Sequence, residues 1–346
     1  MGYSFEAAFR KDGSLGGFPH FIRLRAVLLI AILAFAATGC GGTDYDMPFQ
    51  VDRRESAFRF ETSDTGNTAE TFASKLAVVS SDVIIGEEIP AGEKSYASAV
   101  LMDIDHAAPL YARNAFATLY PASMTKVLTA IVALKNAQMD QVLTADSDCV
   151  LTEADVQKVG LKPGDTMTMD QALHILLIYS ANDVAILIAK NLGGSVEGFA
   201  ELMNEEAKRI GATNSHFVNP HGLHDENHYT TAYDMYLLFN EAVKDERFNQ
   251  IIAMNTYSAT YQDASGALVD FSCENTNRFL KGDIYPPSNI TVVGGKTGTT
   301  LAAGRCLVML SKDEKGNSYV SCVMKSDSID VMYGKTNSLL GLIGGT

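Results

Sequence analysis

The sequence predicts an α+β fold, with one antiparallel sheet drawn from both ends of the chain around a helical cluster in the middle. Strand-like runs stand near the start and the end of the region beyond residue 73, and apolar residues at helical spacing fill the stretch between them. Composition agrees. The 346 residues are 47% hydrophobic and 20% charged, which is ordinary for a globular chain and excludes bulk disorder, collagen and coiled coil. The formal net charge of -14 leaves no whole-chain basic footprint, so nucleic acid is not an expected partner. Five cysteines in this length do not make a disulfide scaffold.

The first 39 residues read as an export signal rather than fold. Arg10, Lys11, Arg23 and Arg25 precede an uncharged apolar run over 26–39, too short for a spanning helix of ~20 residues. Small residues follow, ending Ala37-Thr38-Gly39-Cys40. This layout resembles a bacterial lipoprotein signal, which would make Cys40 the lipidated mature N-terminus; an uncleaved anchor or an ordinary signal peptidase site are the other readings. Each exports the chain. The lipoprotein reading anchors it to the outer face of the cytoplasmic membrane through an N-terminal lipid. Loss of residues 1–39 removes four basic and two acidic residues and leaves a charge of -16. Residues 40–72 are polar, without a sustained period, and read as a flexible tether.

From residue 73 the chain reads as one domain. ASAVLMDI (97–104) and APLYARN (108–114) form a hairpin around Asp105-His106-Ala107. A helix follows Pro121, apolar at helical spacing from Val127. Residues 141–167 mix short extended runs with turns at Gly160 and Pro163-Gly164-Asp165. Thr168 to Gln171 fits a capping box before the buried helix ALHILLIYS. The run DVAILIAKNL stops at Gly193-Gly194, and an amphipathic helix over 195–210 stops at Gly211. Another helix covers 231–245. ITVVGGKTG, GRCLVMLSK and SYVSCVMKS are the closing strands, and VMYGKTNSLLGLI is the last helix. Cys149, Cys273, Cys306 and Cys322 read as buried free thiols, with Cys306 and Cys322 the pair best placed for proximity.

Three short motifs carry chemistry. Ser123-Met124-Thr125-Lys126 puts a hydroxyl and an amine one helical turn apart. A serine is a weak nucleophile until a base takes its proton, and lysine is such a base only when neutral, which burial or a second cation promotes. Ser180-Ala181-Asn182 sits between two apolar helical runs, where a serine could relay a proton and an amide could hold a substrate backbone. Lys296-Thr297-Gly298-Thr299 ends an extended run, where a cation, hydroxyls and a glycine suit a peptide ending in a carboxylate. Taken singly, each reads as local structure: a helix cap, a helix junction, a turn. Together they occur once each, in order, 57 and 116 residues apart. That set accompanies penicillin-binding proteins and class A β-lactamases.

The chain resembles the low-molecular-mass penicillin-binding proteins that are serine-type D-Ala-D-Ala carboxypeptidases, peptidase family S11. The likeness extends through GLKPGDTMTMDQALHILLIYSANDVAILIAKNLGG, NPHGLHDENHYTTAYDM, NTNRFL and GGKTGTTLAAGRCL, over roughly residues 73–346. It implies a β-lactamase/transpeptidase-like fold and a cofactor-free enzyme acting on peptidoglycan stem peptides ending in D-Ala-D-Ala, with β-lactams as inhibitors. Ser123 would form the acyl-enzyme and Lys126 would activate it. Ser180 would pass the proton to the leaving D-alanine. Asn182 would hold the substrate chain and Lys126. Lys296, Thr297 and Thr299 would bind the terminal carboxylate beside Gly298, with Lys296 helping to keep Lys126 neutral. The oxyanion hole would be the N–H groups of Ser123 and Thr299. A further β-rich domain and a C-terminal anchor, frequent in the family, are expected to be lacking, since only about 40 residues follow Gly304.

Two other readings stand beside this one. His221, His224 and His228 have the look of a metal cluster, but their spacing is no known zinc signature, and no metal is expected. A class A β-lactamase would need a glutamate for deacylation. Glu201-Leu202-Met203-Asn204 is a partial match, expected on a helix rather than a loop. A sensor that acylates without turnover is the non-enzymatic alternative.

Overall fold

The two ends of the chain meet in one sheet. β1 (Ser98–Asp103) and β2 (Ala108–Arg113) form the expected hairpin, and β7 (Ile290–Thr300), β8 (Gly304–Asp313) and β9 (Ser318–Ser326) form an antiparallel meander. β1 pairs with β9, Val100 opposite Cys322, which gives the order β2-β1-β9-β8-β7. This is the computed structural model of the chain, and it describes residues 75–84, 95–153 and 155–344. The signal segment, the tether and Cys40 lie outside the described residues. No described helix is long and apolar enough to cross a membrane.

Between the hairpin and the meander lie the helices. α1 (Lys126–Asn136) has neither Gly nor Pro and is buried from Lys126 to Ala133. The capping box forms as expected: the Thr168 hydroxyl accepts from Gln171 N, and Gln171 reaches back to Thr168 N, opening α2 (Met169–His174). α3 (Asn182–Gly193) ends on Gly194 at φ 73° and α4 (Val196–Ile210) on Gly211 at φ 101°, each glycine supplying the left-handed residue that closes a helix. α5 (Ala232–Ala242) starts at its Thr231 cap, and a separate short helix, α6 (Glu246–Ile252), takes over where one longer helix is expected. Asp245 causes the break, because its side chain caps Arg247 N and restarts the helix. α7 (Arg278–Lys281) is a single turn, and α8 (Ile329–Leu340) packs on the outer face of the sheet. The opposite face meets the helical body, so the sheet is buried on both sides. The four described cysteines are free and buried.

Of a second sheet, the sequence expectations held only the short extended runs over 141–167; its two strands beyond residue 255 have no counterpart there. β3 (Val142–Thr144), β4 (Thr166–Thr168), β5 (Thr256–Gln262) and β6 (Leu268–Glu274) pair in that order. The signal was present in the alternation of Tyr257, Ala259 and Tyr261 with polar neighbours, and in the Asp263-Ala264-Ser265-Gly266 turn.

Candidate active site

The turn that carries Ser123 is a short 3-10 segment, Ala122–Thr125, leading directly into α1. Ala122 adopts φ 48°, a left-handed conformation that opposes its Cβ. Two glycines let neighbouring backbone close on this turn. A Cβ on Gly298 would stand 2.8 Å from Pro121 O and 3.1 Å from Ser123 N, so β7 can run against the serine only without a side chain there. A Cβ on Gly222, at φ 86°, would stand 1.9 Å from Ala122 O. Gly298 therefore delivers Thr297 and Thr299 to the same cleft as Ser123.

Lys126 is 0% exposed, and three oxygens surround its Nζ: Ser123 Oγ at 2.9 Å, Asn182 Oδ1 at 2.8 Å and His221 O at 2.6 Å. Two of these are carbonyl oxygens, which can only accept. A neutral amine has two N–H bonds and one lone pair. Given to the two carbonyls, the N–H bonds leave the lone pair facing the Ser123 hydroxyl. Burial, and then the positive charge of Lys296, hold the Lys126 amine well below its ordinary pKa, with Asp183 opposing them.

Asn182 opens α3. Its Nδ2 and its backbone N both donate to Gln157 O, at 3.0 and 2.8 Å. The loop carrying Gln157 is held by the buried Asp183 carboxylate, which accepts from the N–H groups of Val159, Gly160 and Leu161. Ser180 sits where the helix after α2 ends as a π turn, Ile175–Tyr179, with Ser180 N donating to Ile175 O five residues back. The extra residue leaves Ser180 at φ 70°, ψ 31°, and its side chain on the cleft wall. A non-glycine residue in this region stores about 1–3 kcal/mol, as sites of function often do. The expected uniform α-helix is therefore replaced at its end by the wider turn that aims Ser180.

Lys296 is 1% exposed and lies beneath the cleft; its Nζ donates to Thr297 O at 3.1 Å. Burial brings its pKa down to about 7. Thr297 Oγ1 pairs with Thr276 Oγ1 at 2.6 Å. The cleft, about 340 Å³, is lined by Ser123, Ser180, Asn182, Thr297, Gly298 and Thr299. The structure thus gathers on one wall residues from three distant stretches of sequence, with Lys126 directly behind the serine.

Two cleft cations lay outside the sequence expectations. Arg305 stands across the strand register from Thr299, and Arg278 begins α7; both line the cleft. Arg278 has only a distant contact with Asp330, 3.9 Å, and Arg305 has no ion-pair partner among the described residues. Cross-strand placement opposite Thr299 was the one sequence signal for Arg305, readable only once the β7–β8 register is known. Asp155 also lines this cleft.

The three histidines do not converge. His221 Nδ1 accepts from Leu223 N, the His224 ring packs edge-on to Tyr120, and His228 bonds to Thr125. Among the described residues no group of three His, Cys, Asp or Glu side chains could hold a metal ion. Glu201 is exposed on α4, and the cleft lining does not include it.

Comparison with known proteins agrees with this geometry. The peptidase S11 family, described as D-alanyl-D-alanine carboxypeptidase, matches residues 87–328. The chain is 37% identical over 227 residues to D-alanyl-D-alanine carboxypeptidase DacF of Bacillus subtilis, covering 64% of this chain and 54% of the relative. It is 30% identical over 252 residues to DacC of Escherichia coli, covering 70% and 59%. The chain thus spans a little over half the length of these curated relatives. Among solved structures it is similar to the Streptomyces K15 DD-transpeptidase, with a TM-score of 0.66, 25% identity, and 73% of this chain against 98% of that one. It is also similar to an evolved penicillin-binding protein homologue from Mycobacterium tuberculosis, with a TM-score of 0.62, 28% identity, and coverage of 73% and 92%.

Proposed function

The chain belongs to the D-alanyl-D-alanine carboxypeptidase family, peptidase S11, and we propose that it is a serine D,D-carboxypeptidase removing the terminal D-alanine from peptidoglycan stem peptides. The single observation that carries this reading is the triple contact of Lys126 Nζ with Ser123 Oγ, Asn182 Oδ1 and His221 O in a buried cleft. Two carbonyls consume the amine's hydrogens, so its lone pair takes the serine proton as Oγ attacks the penultimate D-alanine carbonyl. The carbonyl oxygen becomes an oxyanion facing the N–H groups of Ser123 and Thr299, a stabilisation typically worth about 3–4 kcal/mol. The C–N bond then breaks, and the proton held by Lys126 passes by way of Ser180 to the departing D-alanine nitrogen. Water hydrolyses the ester and restores Ser123.

The substrate's terminal carboxylate docks on the Thr297 and Thr299 hydroxyls. Lys296 supplies positive potential from below, and the Arg305 guanidinium adds a second cation at the cleft wall. A β-lactam presents the same carbonyl and carboxylate and acylates Ser123. Export and a lipid on Cys40 would place the cleft at the outer face of the cytoplasmic membrane. A Cys40→Ser variant then leaves the membrane fraction, and one that stays bound overturns the anchor.

The activity is tested with a peptide ending Lys-D-Ala-D-Ala. The intact protein releases D-alanine and Ser123→Ala releases none; equal release from both removes Ser123 from the mechanism. Penicillin separates the neighbouring activities. A persistent acyl-enzyme with peptide turnover is the expected carboxypeptidase. Hydrolysis within seconds would mean a β-lactamase, and persistence without peptide turnover a sensor.

A further inference from the structure

The strained turn that presents Ser123 must be held by something, and the hydrogen bonds behind it lead to one side chain. Ala122 sits at φ 48°, and its carbonyl accepts from Thr125 Oγ1 at 2.8 Å. A threonine hydroxyl has one hydrogen. With that hydrogen on Ala122 O, Thr125 Oγ1 can only accept from its second neighbour, His228 Nε2, at 2.8 Å. The other end of the imidazole is fixed independently. Val218 N lies 3.1 Å from His228 Nδ1, and a backbone N–H can only donate. Both ends therefore require the same neutral tautomer, hydrogen on Nε2 and lone pair on Nδ1.

The two partners of His228 belong to the two sides of the Lys126 contact. Thr125 is part of the turn that carries Ser123. Val218 begins the segment whose next carbonyls receive the helix behind the nucleophile: Pro220 O accepts from Thr129 Oγ1 at 2.6 Å, and His221 O accepts from Lys126 Nζ at 2.6 Å. Gly222 in that segment backs directly onto Ala122 O. We propose that His228 is a positioning residue for the acylation step, joining the Ser123 turn to the segment that holds Lys126 and so fixing the approach of the amine to the hydroxyl. This rests on Ser123 and Lys126 acting as assigned above.

The surroundings keep the imidazole in the required form. His228 is 2% exposed, its backbone N–H donates to Asp225 O, and Phe217 packs edge-on to its ring. Burial brings its pKa down to about 4, with Asp225 opposing and His216, Lys126 and His224 adding to the fall. Protonation would point a second N–H at Val218 N–H and break the join at that end.

The test compares the rate at which a fluorescent penicillin acylates Ser123 with KM for the peptide and with the melting temperature. His228→Phe fills the space but offers neither donor nor acceptor. Its acylation rate is expected to fall on the order of 10- to 100-fold, with KM within about twofold, since a small misplacement of reacting groups has that effect. His228→Gln keeps one acceptor and one donor and restores most of the rate. Thr125→Val falls by a similar factor, and combining it with His228→Phe adds little. An unchanged rate in His228→Phe, or losses that multiply in the double variant, overturns the proposal. Should His228→Phe fail to fold, Thr125→Val decides, and a normal rate in it is fatal. Absence of label on Ser123 in the unmutated protein would instead break the functional reading, so the two failures are distinct.

Discussion

The cleft and the rim of α4 and α5 handle charge in opposite ways. In the cleft, Lys126 and Lys296 are buried, and neither has a carboxylate in ion-pair range among the described residues; their partners are a hydroxyl, an amide and backbone carbonyls. At the rim, Lys135, Glu206, Arg209, Glu241 and Lys244 alternate in sign and form a chain of ion pairs reaching solvent. Burial works against the charge on Glu206 and Glu241, yet hydrogen bonds from their basic neighbours still hold both below the usual carboxylate range. The rim charges sit comfortably, whereas the cleft amines are pushed toward neutrality. A buried amine without a counter-ion lowers stability, and it is the kind of group a base must be.

The sharpest way to break that contrast is Lys296→Met. Folding takes the Lys296 pKa from 10.5 to about 7, which corresponds to roughly 4 kcal/mol of destabilisation at neutral pH. The sign follows from proton binding. Between pH 7 and 10.5 the unfolded chain binds the proton more tightly than the folded one, so native stability rises with pH across that window and is lowest below it. The methionine variant is therefore more stable than the parent at pH 7, by several kcal/mol in a urea titration, and the gap closes as pH approaches 10.5. Acylation suffers at the same time. Without the Lys296 charge Lys126 becomes more basic, so the acid limb of the acylation profile moves to higher pH. A stability gap that is independent of pH would show that Lys296 is not a buried charge.

Much of this arrangement is written locally and could be read. The β1–β2 hairpin, the Thr168 capping box and the stops at Gly194 and Gly211 each depend on a few adjacent residues. The three motifs were visible because each sets distinctive residue types a few positions apart, in one order along the chain. What could not be read depends on partners far apart in sequence or on backbone bonding. The join from Thr125 to His228 spans 103 residues. The π turn before Ser180 differs from an α-helix only in which carbonyl is bonded. His228 stood out in sequence as a possible metal ligand, because a histidine looks alike whether it holds a metal or a neighbouring hydroxyl.

The rim supplies the smallest expected effect and the control for the largest. Glu206 accepts from Lys135 and, through both carboxylate oxygens, from Arg209. Side-chain exposures of 41% for Lys135 and 51% for Arg209 leave those cations in water. Screening then reduces each pair to about 0–1 kcal/mol, and the depressed Glu206 pKa has to be discounted in the same way. Glu206→Gln keeps the shape and removes the charge, so it is expected to lower stability by no more than about 1 kcal/mol at pH 7. The loss shrinks in high salt. It also disappears as pH falls through the depressed Glu206 pKa, because a protonated carboxyl no longer differs in charge from the amide. Acylation of Ser123 should be untouched, since Glu206 is not among the cleft-lining residues. Chemical denaturation of Glu206→Gln beside Lys296→Met reads both regions on one scale. A loss at the rim as large as the gain in the cleft would show that exposure to solvent does not set the size of these charge effects.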